Sequence, residues 1–458
     1  MITEQEFLAR RGDRAMRLDF GGSCPTDDVG LIVEAAALHR PDVRSAVVAA
    51  ANLLARWVPS LSVHLPVDPE MPTGSLVAAI DASVKNANPF LEIKWVDRPP
   101  TCPSLTIGPG AIASPSTTTA WADGWVAVST RGSVSRCLSE PIPSVLLFAV
   151  ALGVGRVFRD AWTLPCVGRS ELRWDTWDHS LNGVCADREL PPRPVRAPDL
   201  GNVLQVGAGA VGSNIIYFLG LMGASADLVV VDHDVVKIEN LDRSLLFGLD
   251  DAYPRETLKV EAVRRAVESF PTLRVHPERS KWVEYATSGY RVGNFDLALA
   301  LANEDQVWPA MANAVLPLTL QATTDSDWGV AFGAHAPGRG YCLQCRFPPE
   351  AQVAPTVCAE GVVEIPSETG EAETVHASLP FQSAAAAALL AVEIDKLTLG
   401  PRPGAPNYVE AKLDVTEQVQ AVHRRPSAQC PRCRDFPEGY WNAKYATTRF
   451  SGYSQLSE

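Results

Sequence analysis

Short apolar stretches alternate with helical patterns along the second half of the chain. NVLQVG, ADLVVVDHD and FDLALALA are apolar runs at residues 202–207, 226–234 and 295–302. Between and after these runs, three longer segments have the length and spacing of helices: SNIIYFLGLMGA, ETLKVEAVRRAVESF and LPFQSAAAAALLAVEIDKLTLG. Apolar strands that alternate with helices are typical of a parallel sheet covered on both faces. The pattern therefore predicts a doubly wound α/β domain.

The first 190 residues have a mixed pattern. AAALHRPDVRSAVVAAANLLARWV (35–58) predicts a helix, and SLSVHLPV and GWVAVST predict strands. IPSVLLFAVALGVGRVFRDAW predicts a helix that begins just after Pro143, with its N-cap at or near Ser144. This helix and the one after Pro380 share a Pro, a Ser and a run of Ala, Leu and Val. Either the first domain is a degenerate copy of the second, or both helices are simply buried.

A Pro-rich stretch separates the two regions. DRELPPRPVRAPDL, at residues 187–200, contains four prolines that exclude a continuous helix or central strand. Such a stretch is typical of a semi-extended linker. We expect an N-terminal α/β domain over 1–190, a linker over 191–200, a second domain over 201–435 and a tail over 436–458. A length of 458 residues agrees with two or three domains.

Composition and charge exclude several classes of protein. Apolar residues make up 46% and charged residues 20%, which indicates a folded globular chain. Forty Lys and Arg against 53 Asp and Glu give a net charge of −13, which disfavours a general nucleic-acid binder. The longest apolar run, Val145–Gly155, is about half as long as a membrane span. Because the N-terminus has no apolar signal core, we expect a cytoplasmic location.

A glycine-rich turn follows the first predicted strand of the second domain and directly precedes a predicted helix. Gly207, Gly209 and Gly212 form the pattern GxGxxG. Glycines at these places let the backbone approach a phosphate, and the helix N-terminus supplies unpaired N–H groups. Asp232 ends the next predicted strand, where an acid can bond ribose hydroxyls. These features predict a nucleotide site and, taken alone, favour a nicotinamide-dependent dehydrogenase.

The polar residues after Asp232 favour a different reaction. Asp234, Asn240 and Arg243 follow within 11 positions, and Lys259 lies in the next predicted helix. A dehydrogenase needs no such cluster, whereas an enzyme that stabilises charge on a triphosphate does. Arg can clamp phosphate oxygens with its planar fork, and Lys acts on them as a point charge. The alternative is ordinary solvated surface charge.

The last five of the ten cysteines form a pattern. Cys342 and Cys345 make one CxxC pair, and Cys430 and Cys433 make a second about 85 residues later. Two such pairs can complete a closed tetrahedral zinc site. A redox dithiol would need one pair alone. The spacing therefore predicts a structural zinc ion that pins the C-terminal segment to the domain.

The ordered set of motifs resembles the adenylation domain of the ThiF, MoeB and ubiquitin-activating enzyme superfamily. The resemblance rests on GAGAVGS, VVVDHDVVKIENLDR, Lys259, CLQC, the Cys358 segment and CPRC. It implies a Rossmann-like fold and the ATP-dependent adenylation of the C-terminal carboxylate of a ubiquitin-like protein, with release of pyrophosphate. It also implies that the glycines cradle phosphate, that Asp232 binds the ribose, and that Asn240, Arg243 and Lys259 hold the triphosphate.

Two departures from the family pattern concern the triphosphate. Ser244 stands where the family usually has Gln. Where the family has an acid that helps to hold Mg²⁺, this chain has Asn303, followed by Glu304 and Asp305. Because Mg²⁺ prefers carboxylate oxygen, we expect Asp305 or Asp234 to take that place.

Cys358 lies between the first CxxC pair and the last long predicted helix. A single cysteine is commonly a small buried apolar residue. In several members of the superfamily, however, a cysteine at the matching place attacks the acyl-adenylate, and a thiolate suits that step. Residues 348–376 around it are rich in Pro, Glu, Ser and Thr and predict a mobile loop that carries Cys358 to the adenylate.

The sequence therefore predicts an ATP-dependent activating enzyme, most like the stand-alone bacterial ubiquitin-activating enzymes of defence-associated conjugation operons. Its expected cofactors are ATP, Mg²⁺ and Zn²⁺, and its expected partners are a ubiquitin-like protein and a conjugating enzyme. Residues 1–190 have no GxGxxG and would be the inactive adenylation-like domain of an internal pseudo-dimer, although a homodimer is also possible. The alternatives are a sulfur-carrier or peptide adenylyltransferase, an NAD-dependent oxidoreductase and a non-catalytic scaffold.

Overall fold

The structure is a computed structural model, and it describes most of the chain. It describes residues 2–19, 26–66, 73–110, 116–134, 137, 139–164, 169–182, 191–288, 295–302, 307–314, 316–325, 328–336, 341–346, 362–366, 372–376, 379–402, 404–414, 416–434 and 448–450. Over 12–19, 362–366 and 372–376 it describes the backbone alone. Within these ranges, every helix is too short or too polar to cross a bilayer.

The first domain is an eight-stranded sheet with helices. In chain order its elements are α1 Glu4–Asp19, β1 Val29–Val33, α2 Pro41–Ala55, β2 Ser60–His64, α3 Gly74–Ala87, β3 Glu92–Trp95, β4 Ser104–Ile107, β5 Thr117–Asp123, β6 Val126–Arg131, α4 Pro143–Ala161, β7 Glu171–Asp175 and β8 Ser180–Leu181. The sheet order is β3-β2-β1-β4-β5-β6-β7-β8. The first five strands in that order are parallel, and the last three continue antiparallel.

The second domain is also built on an eight-stranded sheet. Its elements are β9 Asp199–Val206, α5 Ala210–Leu221, β10 Ser225–Val231, α6 Leu249–Ala252, α7 Lys259–Ala266, β11 Leu273–Glu278, α8 Trp282–Thr287, β12 Leu297–Ala300, α9 Val307–Asn313, β13 Thr319–Thr324, β14 Gly329–His335, α10 Leu343–Arg346, β15 Val362–Pro366, β16 Ala372–His376, α11 Pro380–Thr398, β17 Tyr408–Lys412, β18 Gln418–Val422 and α12 Pro431–Arg434. The order of the large sheet is β11-β10-β9-β12-β13-β14-β17-β18, and β15 pairs with β16 in a separate antiparallel hairpin.

The two large sheets share one topology. In both, the strands follow the spatial order 3-2-1-4-5-6-7-8 of their own domain, with the first five parallel and the rest antiparallel. The long helices α4 and α11 also correspond, because each follows the sixth strand and precedes the seventh along the chain. The Pro-Ser-apolar pattern shared by these two helices therefore marks equivalent positions in two α/β domains of the same topology.

Most predicted elements are present, with differences at their ends. The helix predicted over 35–58 begins at Pro41, after a 3₁₀ turn at Ala35–Ala37. The helix predicted to begin just after Pro143, with its N-cap at or near Ser144, begins one residue earlier: Ile142 is the N-cap, and Pro143 takes the first helical position, where its missing N–H costs nothing. Strand β9 begins at Asp199, inside the expected linker. The predicted loop over 348–376 contains the backbone of the β15–β16 hairpin.

Helices α4 and α11 pack against each other and join the two domains. Nearly every residue of both helices is buried. Their close approach requires a small residue at Gly155, where a Cβ would lie 2.9 Å from the Phe381 ring. Phe381 also contacts the rings of Phe158 and Trp328. Because each helix is covered by its own sheet on one side and by the other helix on another, separating the domains would expose a large apolar area.

In each domain, the turn before the last strand of the large sheet contacts the long helix of the other domain. Glu417, between β17 and β18, pairs with Arg156 of α4 at 2.7 Å. His179, between β7 and β8, lies 2.9 Å from Glu393 of α11. Both turn residues have a positive φ, and all four side chains are less than a tenth exposed. The two contacts therefore correspond to each other, with acid and base exchanged.

A buried carboxylate lies where the start of α4 meets the end of α11. Asp395 is 2% exposed and accepts a hydrogen bond from the Ser144 hydroxyl. Burial raises the pKa of Asp395 to about 7, because the hydrogen bond from Ser144 offsets only part of the lost hydration. This carboxyl group therefore titrates near neutral pH in the folded protein.

We expect Asp395→Asn to stabilise the protein more at pH 8 than at pH 5. The pKa of Asp395 rises from its usual 3.8 to about 7 on folding, so the unfolded chain releases the proton first. The contribution of Asp395 to the unfolding free energy of the wild type should therefore fall as the pH rises from about 4 to 7 and stay level above that. The gain in unfolding free energy from the substitution should grow by roughly 2–3 kcal/mol from pH 5 to pH 8. Urea denaturation at both values measures it.

The exposed carboxylate of Asp227 offers a matched control for this measurement. Asp227→Asn should change the unfolding free energy by a few tenths of a kcal/mol at either pH, as is usual for surface substitutions. An equal effect of Asp395→Asn at pH 5 and pH 8 would contradict the prediction.

Candidate functional site

The glycine-rich turn lies between β9 and α5, at the carboxyl edge of the second sheet. Gly207 has a φ of +101°, and a Cβ there would lie 2.5 Å from the backbone nitrogen of Ala302. A Cβ on Gly212 would lie 2.2 Å from the Gly207 carbonyl oxygen. Gly209 is the N-cap of α5 and faces open space. The first and last glycines therefore let the turn close, and the middle one leaves the N-terminus of α5 open to a phosphate.

A buried glutamine holds this turn together. Gln205 is fully buried in β9, and its amide nitrogen donates to the carbonyl oxygens of Gly207 and Gly212, both at 2.9 Å. These two bonds fix the two ends of the turn to one side chain. The turn is therefore preformed for a ligand rather than assembled by it.

Asp232 and Asp234 follow β10 beside the turn. Oδ2 of Asp232 accepts a hydrogen bond from the Ala208 N–H at 2.7 Å, and Oδ1 accepts one from the Asp234 N–H at 2.9 Å. Lys259, at the start of α7, places Nζ 2.7 Å from Oδ2 of Asp234. Burial opposes ionisation of Asp234, but the Lys259 ammonium holds the pKa of that carboxyl below its usual value. The structure therefore brings both acids, the lysine and the glycine turn into one cluster.

Asn240 and Arg243 lie on the segment between Asp234 and α6. Asn240 accepts a hydrogen bond from the Lys237 N–H at 2.9 Å and closes a 3₁₀ turn. The Arg243 guanidinium pairs with the neighbouring Asp242 at 2.9 Å. Asn214 of α5 donates to the Arg243 carbonyl oxygen at 3.0 Å. The backbone of Arg243 is therefore tied to the helix that follows the glycine turn, and its side chain lies against a neutralising carboxylate.

At the position equivalent to Gly207, the first domain has a glutamate. Glu34 follows β1 directly, as Gly207 follows β9. Its Oε2 accepts a hydrogen bond from the Gly110 N–H at 2.7 Å. A Cβ on Gly108 would lie 2.4 Å from the Glu34 Cβ, so this side chain fills the space above the strand ends. A negative charge there repels phosphate.

The four cysteines of the two CxxC pairs form a second cluster. Cys342 and Cys345 lie at α10, and Cys430 and Cys433 lie at α12. Their sulfur atoms are 3.8 Å apart for Cys342–Cys345, 3.7 Å for Cys342–Cys430 and 3.5 Å for Cys345–Cys433. A tetrahedral set of thiolates at the usual Zn–S length of about 2.3 Å has edges of about 3.8 Å. The donor set is therefore compatible with zinc, held by these four residues.

A family model described as "ThiF family" matches residues 200–433, which is about half of the chain. The chain belongs to the ThiF family. This match confirms the superfamily that the motifs resemble, and it spans the glycine turn and both cysteine pairs.

Individual relatives of this ThiF protein are remote. The uncharacterized protein y4jF of Sinorhizobium fredii (strain NBRC 101917 / NGR234) is 28% identical over 324 residues. That alignment covers 66% of this chain and 57% of the relative, so the chain spans little more than half of the relative's length. The crystal structure of E. coli MccB with AMPCPP and MccA is 18% identical, covers 51% of this chain and 66% of that one, and has a TM-score of 0.40. E. coli tRNA N6-threonylcarbamoyladenosine dehydratase, TcdA, with AMP is 14% identical over 43% of this chain and 86% of that one, with a TM-score of 0.30.

Two predicted site residues, Cys358 and Asp305, lie outside the described residues. The described chain reaches toward Asp305 as far as Ala302, whose backbone contacts Gly207. Asp232, His233 and Asp234 place their potential ligand atoms within 4.8 Å of one another, although Asp234 is paired with Lys259. The identity of the magnesium ligand and the role of Cys358 therefore stay predictions.

Sequence patterns did not identify the polar residues that support the site. Gln205 stands in an apolar strand and Asn214 in an apolar helix, and a buried polar group is costly unless it is hydrogen-bonded. Each could therefore have been recognised as a residue with a buried partner. Asn52 and Arg56 of α2 bond the carbonyl oxygen of Leu245, about 190 positions away. Only the fold reveals that contact.

We expect about one equivalent of zinc per chain by elemental analysis of the purified protein. Cys430→Ser should lose nearly all of it and lower the thermal midpoint, because metal binding and folding are coupled at a closed thiolate site. Cys137→Ser, which changes an exposed cysteine of the first domain, should keep both the metal and the midpoint. A Cys430→Ser protein with full metal content, or a metal-free wild type with unchanged stability, would refute the structural zinc site.

Proposed function

We propose that this ThiF-family protein is an activating enzyme that uses ATP to adenylate the C-terminal carboxylate of a ubiquitin-like protein. The observation that carries the proposal is the cluster formed by the glycine turn, Asp232, Asp234 and Lys259. A carboxylate that attacks the α-phosphorus of ATP gives an acyl-adenylate and pyrophosphate. Such a reaction needs a nucleotide cradle and fixed cations around the phosphates, and this cluster supplies both.

We assign a role to each side chain of this cluster. The open N-terminus of α5 and the backbone at Gly207, Gly209 and Gly212 receive the phosphates. Asp232 is held by two backbone N–H groups at the end of β10, the usual place for an acid that binds ribose hydroxyls. Lys259 carries a fixed positive charge to the edge of the same turn.

Arg243 supplies the second positive charge. Its guanidinium pairs with Asp242 and with the Glu239 carbonyl oxygen, and its side chain is 12% exposed. We take this as a resting position, from which the fork turns to the triphosphate when ATP binds. Asn240 fixes the preceding turn and offers an amide to the same ligand. Asp305, or Asp234 once Lys259 engages the nucleotide, would hold Mg²⁺, which would neutralise negative charge on the triphosphate.

The first domain acts as the inactive partner in an internal pseudo-dimer. Its sheet has the same topology as the active one, but the Glu34 carboxylate fills the space where a phosphate would enter. The exchanged contacts between turn and helix favour this intramolecular pairing. Two copies of the second domain would set Glu393 against Glu417. Two carboxylates in such a buried place disfavour a homodimer of that half.

Cys358 is the proposed acceptor of the activated acyl group. Its thiolate would attack the acyl carbon, the bond from that carbon to the AMP phosphate oxygen would break, and AMP would leave with the electron pair. The resulting thioester would pass to a conjugating enzyme. Zinc, held by the four clustered cysteines, would have a structural role and leave Cys358 free for this chemistry.

What the protein binds and what it releases distinguish this proposal from its alternatives. A sulfur-carrier or peptide adenylyltransferase would use the same nucleotide residues and differ in what it activates. An NAD-dependent oxidoreductase would bind a reduced nicotinamide and release no pyrophosphate, and a scaffold would bind a ubiquitin-like protein without turnover. The cytoplasmic location expected from the sequence stays a prediction.

We expect the enzyme to exchange labelled pyrophosphate into ATP when its ubiquitin-like partner is present. Arg243→Ala or Lys259→Ala should slow this exchange by roughly 10²- to 10³-fold, the usual loss when one transition-state charge contact is removed. Lys281→Ala, which removes an exposed charge elsewhere in the same domain, should leave the rate unchanged. Full exchange by both cluster variants would mean that the phosphate clamp lies elsewhere. Exchange driven by a short peptide alone would favour the peptide adenylyltransferase.

We expect Cys358→Ala to separate the two half-reactions. The variant should keep its zinc and its pyrophosphate exchange, because the adenylate forms before the thiol attacks. It should lose the adduct between enzyme and ubiquitin-like protein that survives a non-reducing gel and is cleaved by thiol. Cys102→Ser is the control and should retain the adduct, since this half-buried cysteine lies in the first domain. A thiol-sensitive adduct on Cys358→Ala would identify another cysteine as the acceptor.

A further inference from the structure

The segment that carries Arg243 is folded onto the inactive domain. Leu241 and Leu245, which flank Arg243, are at most 1% exposed. Helix α1 of the first domain packs on the preceding 3₁₀ turn. Gly248, a little further along, lies against α3, because a Cβ there would lie 2.0 Å from the Asn86 side-chain oxygen. The first domain therefore forms the surface on which this segment rests.

Arg56, which caps the C-terminus of α2, makes the most specific of these contacts. Its guanidinium donates to the Leu241 carbonyl oxygen at 2.5 Å, to the Leu245 carbonyl oxygen at 3.0 Å and to the Asn52 side-chain oxygen at 3.0 Å. Asn52 donates to the same Leu245 carbonyl at 3.1 Å. One side chain of the inactive domain thus spans the backbone on both sides of Arg243.

The three hydrogen bonds made by residue 56 suit an arginine side chain. Arg56 is 1% exposed, and all three of its hydrogen-bond acceptors among the described residues are neutral oxygens. Burying a guanidinium is costly, so packing alone would favour an apolar side chain. The planar fork reaches two carbonyl groups and the Asn52 oxygen from three separate nitrogens, whereas an apolar side chain reaches none and a lysine has a single nitrogen.

Residues 241–245 are also held by a side chain of the second domain. Asn214 donates to the Arg243 carbonyl oxygen at 3.0 Å and accepts a hydrogen bond from the Leu245 N–H at 2.7 Å. Asn214 lies two positions after Gly212 in α5. The segment is therefore held between Asn214, at the nucleotide turn, and Arg56, in the other domain. A change at either anchor moves Arg243 relative to the turn.

We infer that Arg56 is a positioning residue of the inactive domain, which holds residues 241–245 so that Arg243 can reach the triphosphate of ATP. This inference rests on the proposed function, because it assigns Arg243 to the nucleotide. It gives the inactive domain a defined part in the reaction, through one buried side chain.

Nucleotide affinity tests this inference without the protein partner. ATP contains the β- and γ-phosphates that Arg243 would contact, whereas AMP uses the glycine turn and Asp232 alone. We expect Arg56→Met in the full-length protein to weaken Mg·ATP binding by about tenfold, as expected for a charged hydrogen bond, and to leave AMP binding within about twofold. Isothermal titration calorimetry measures both. Arg56→Lys, which keeps the charge but has one nitrogen in place of the three that bond in the wild type, should have an intermediate effect.

A double-mutant cycle separates positioning from packing. Once Arg243→Ala has removed the phosphate contact, adding Arg56→Met should weaken ATP binding by no more than about twofold further. The control is Arg156→Met, which breaks a different buried arginine contact between the domains and should lower stability without changing the ratio of ATP to AMP affinity. If Arg56→Met does not fold, Asn52→Ala removes one bond to the Leu245 carbonyl and should shift the same ratio in the same direction, less strongly.

The outcomes of these measurements distinguish failure of the positioning role from failure of the proposed function. An unchanged ratio of ATP to AMP affinity in the Arg56 variants, or an additive effect in the double mutant, would overturn the positioning role while leaving the proposed function in place. A wild type that binds no nucleotide, or whose ATP affinity does not depend on Arg243, would instead refute the proposed function on which the inference rests.

Discussion

The packing of α4 against α11 is the contact on which the rest of the structure depends. Both helices are buried along nearly their whole length, and the approach of Phe381 to Gly155 leaves no room for a larger residue. This contact places the first domain against the second in one orientation. In that orientation α2 meets the segment that carries Arg243, and the turns at His179 and Glu417 reach the opposite helices.

Two domains of one topology differ at the point where a nucleotide would enter. In the second domain the residue after the first strand is Gly207, whose positive φ and missing Cβ let the turn close against Ala302. In the first domain it is Glu34, whose carboxylate occupies the space beside Gly110. A preformed cradle of N–H groups binds a phosphate, and a fixed carboxylate repels it. The same fold therefore has an open glycine turn in one domain and a carboxylate in the equivalent place in the other.

The sequence predicted the second domain well because local patterns determine it. Apolar runs predict its strands, and GxGxxG with Asp232 and the two CxxC pairs predict two clusters that the structure brings together. The family match confirms the superfamily that these motifs predict. Residues such as Gln205 and Arg56 were not found, because their roles depend on carbonyl groups that only the folded chain brings to them. The helices begin at Pro41 and Pro143, not at the predicted residues, because proline is favoured at the first helical position, where its fixed φ suits the helix and its missing N–H costs nothing.

The central claim is that one domain binds the nucleotide and the other supports it. The stoichiometry of Mg·ATP binding to the full-length, zinc-loaded protein tests it most directly. With Gly207 in one domain and Glu34 in the other, calorimetry should give about one ATP per chain, and Asp232→Ala should weaken that single site severely. Two equivalents per chain would contradict the account, because the first domain would then be a working nucleotide site, and no binding at all would contradict adenylation.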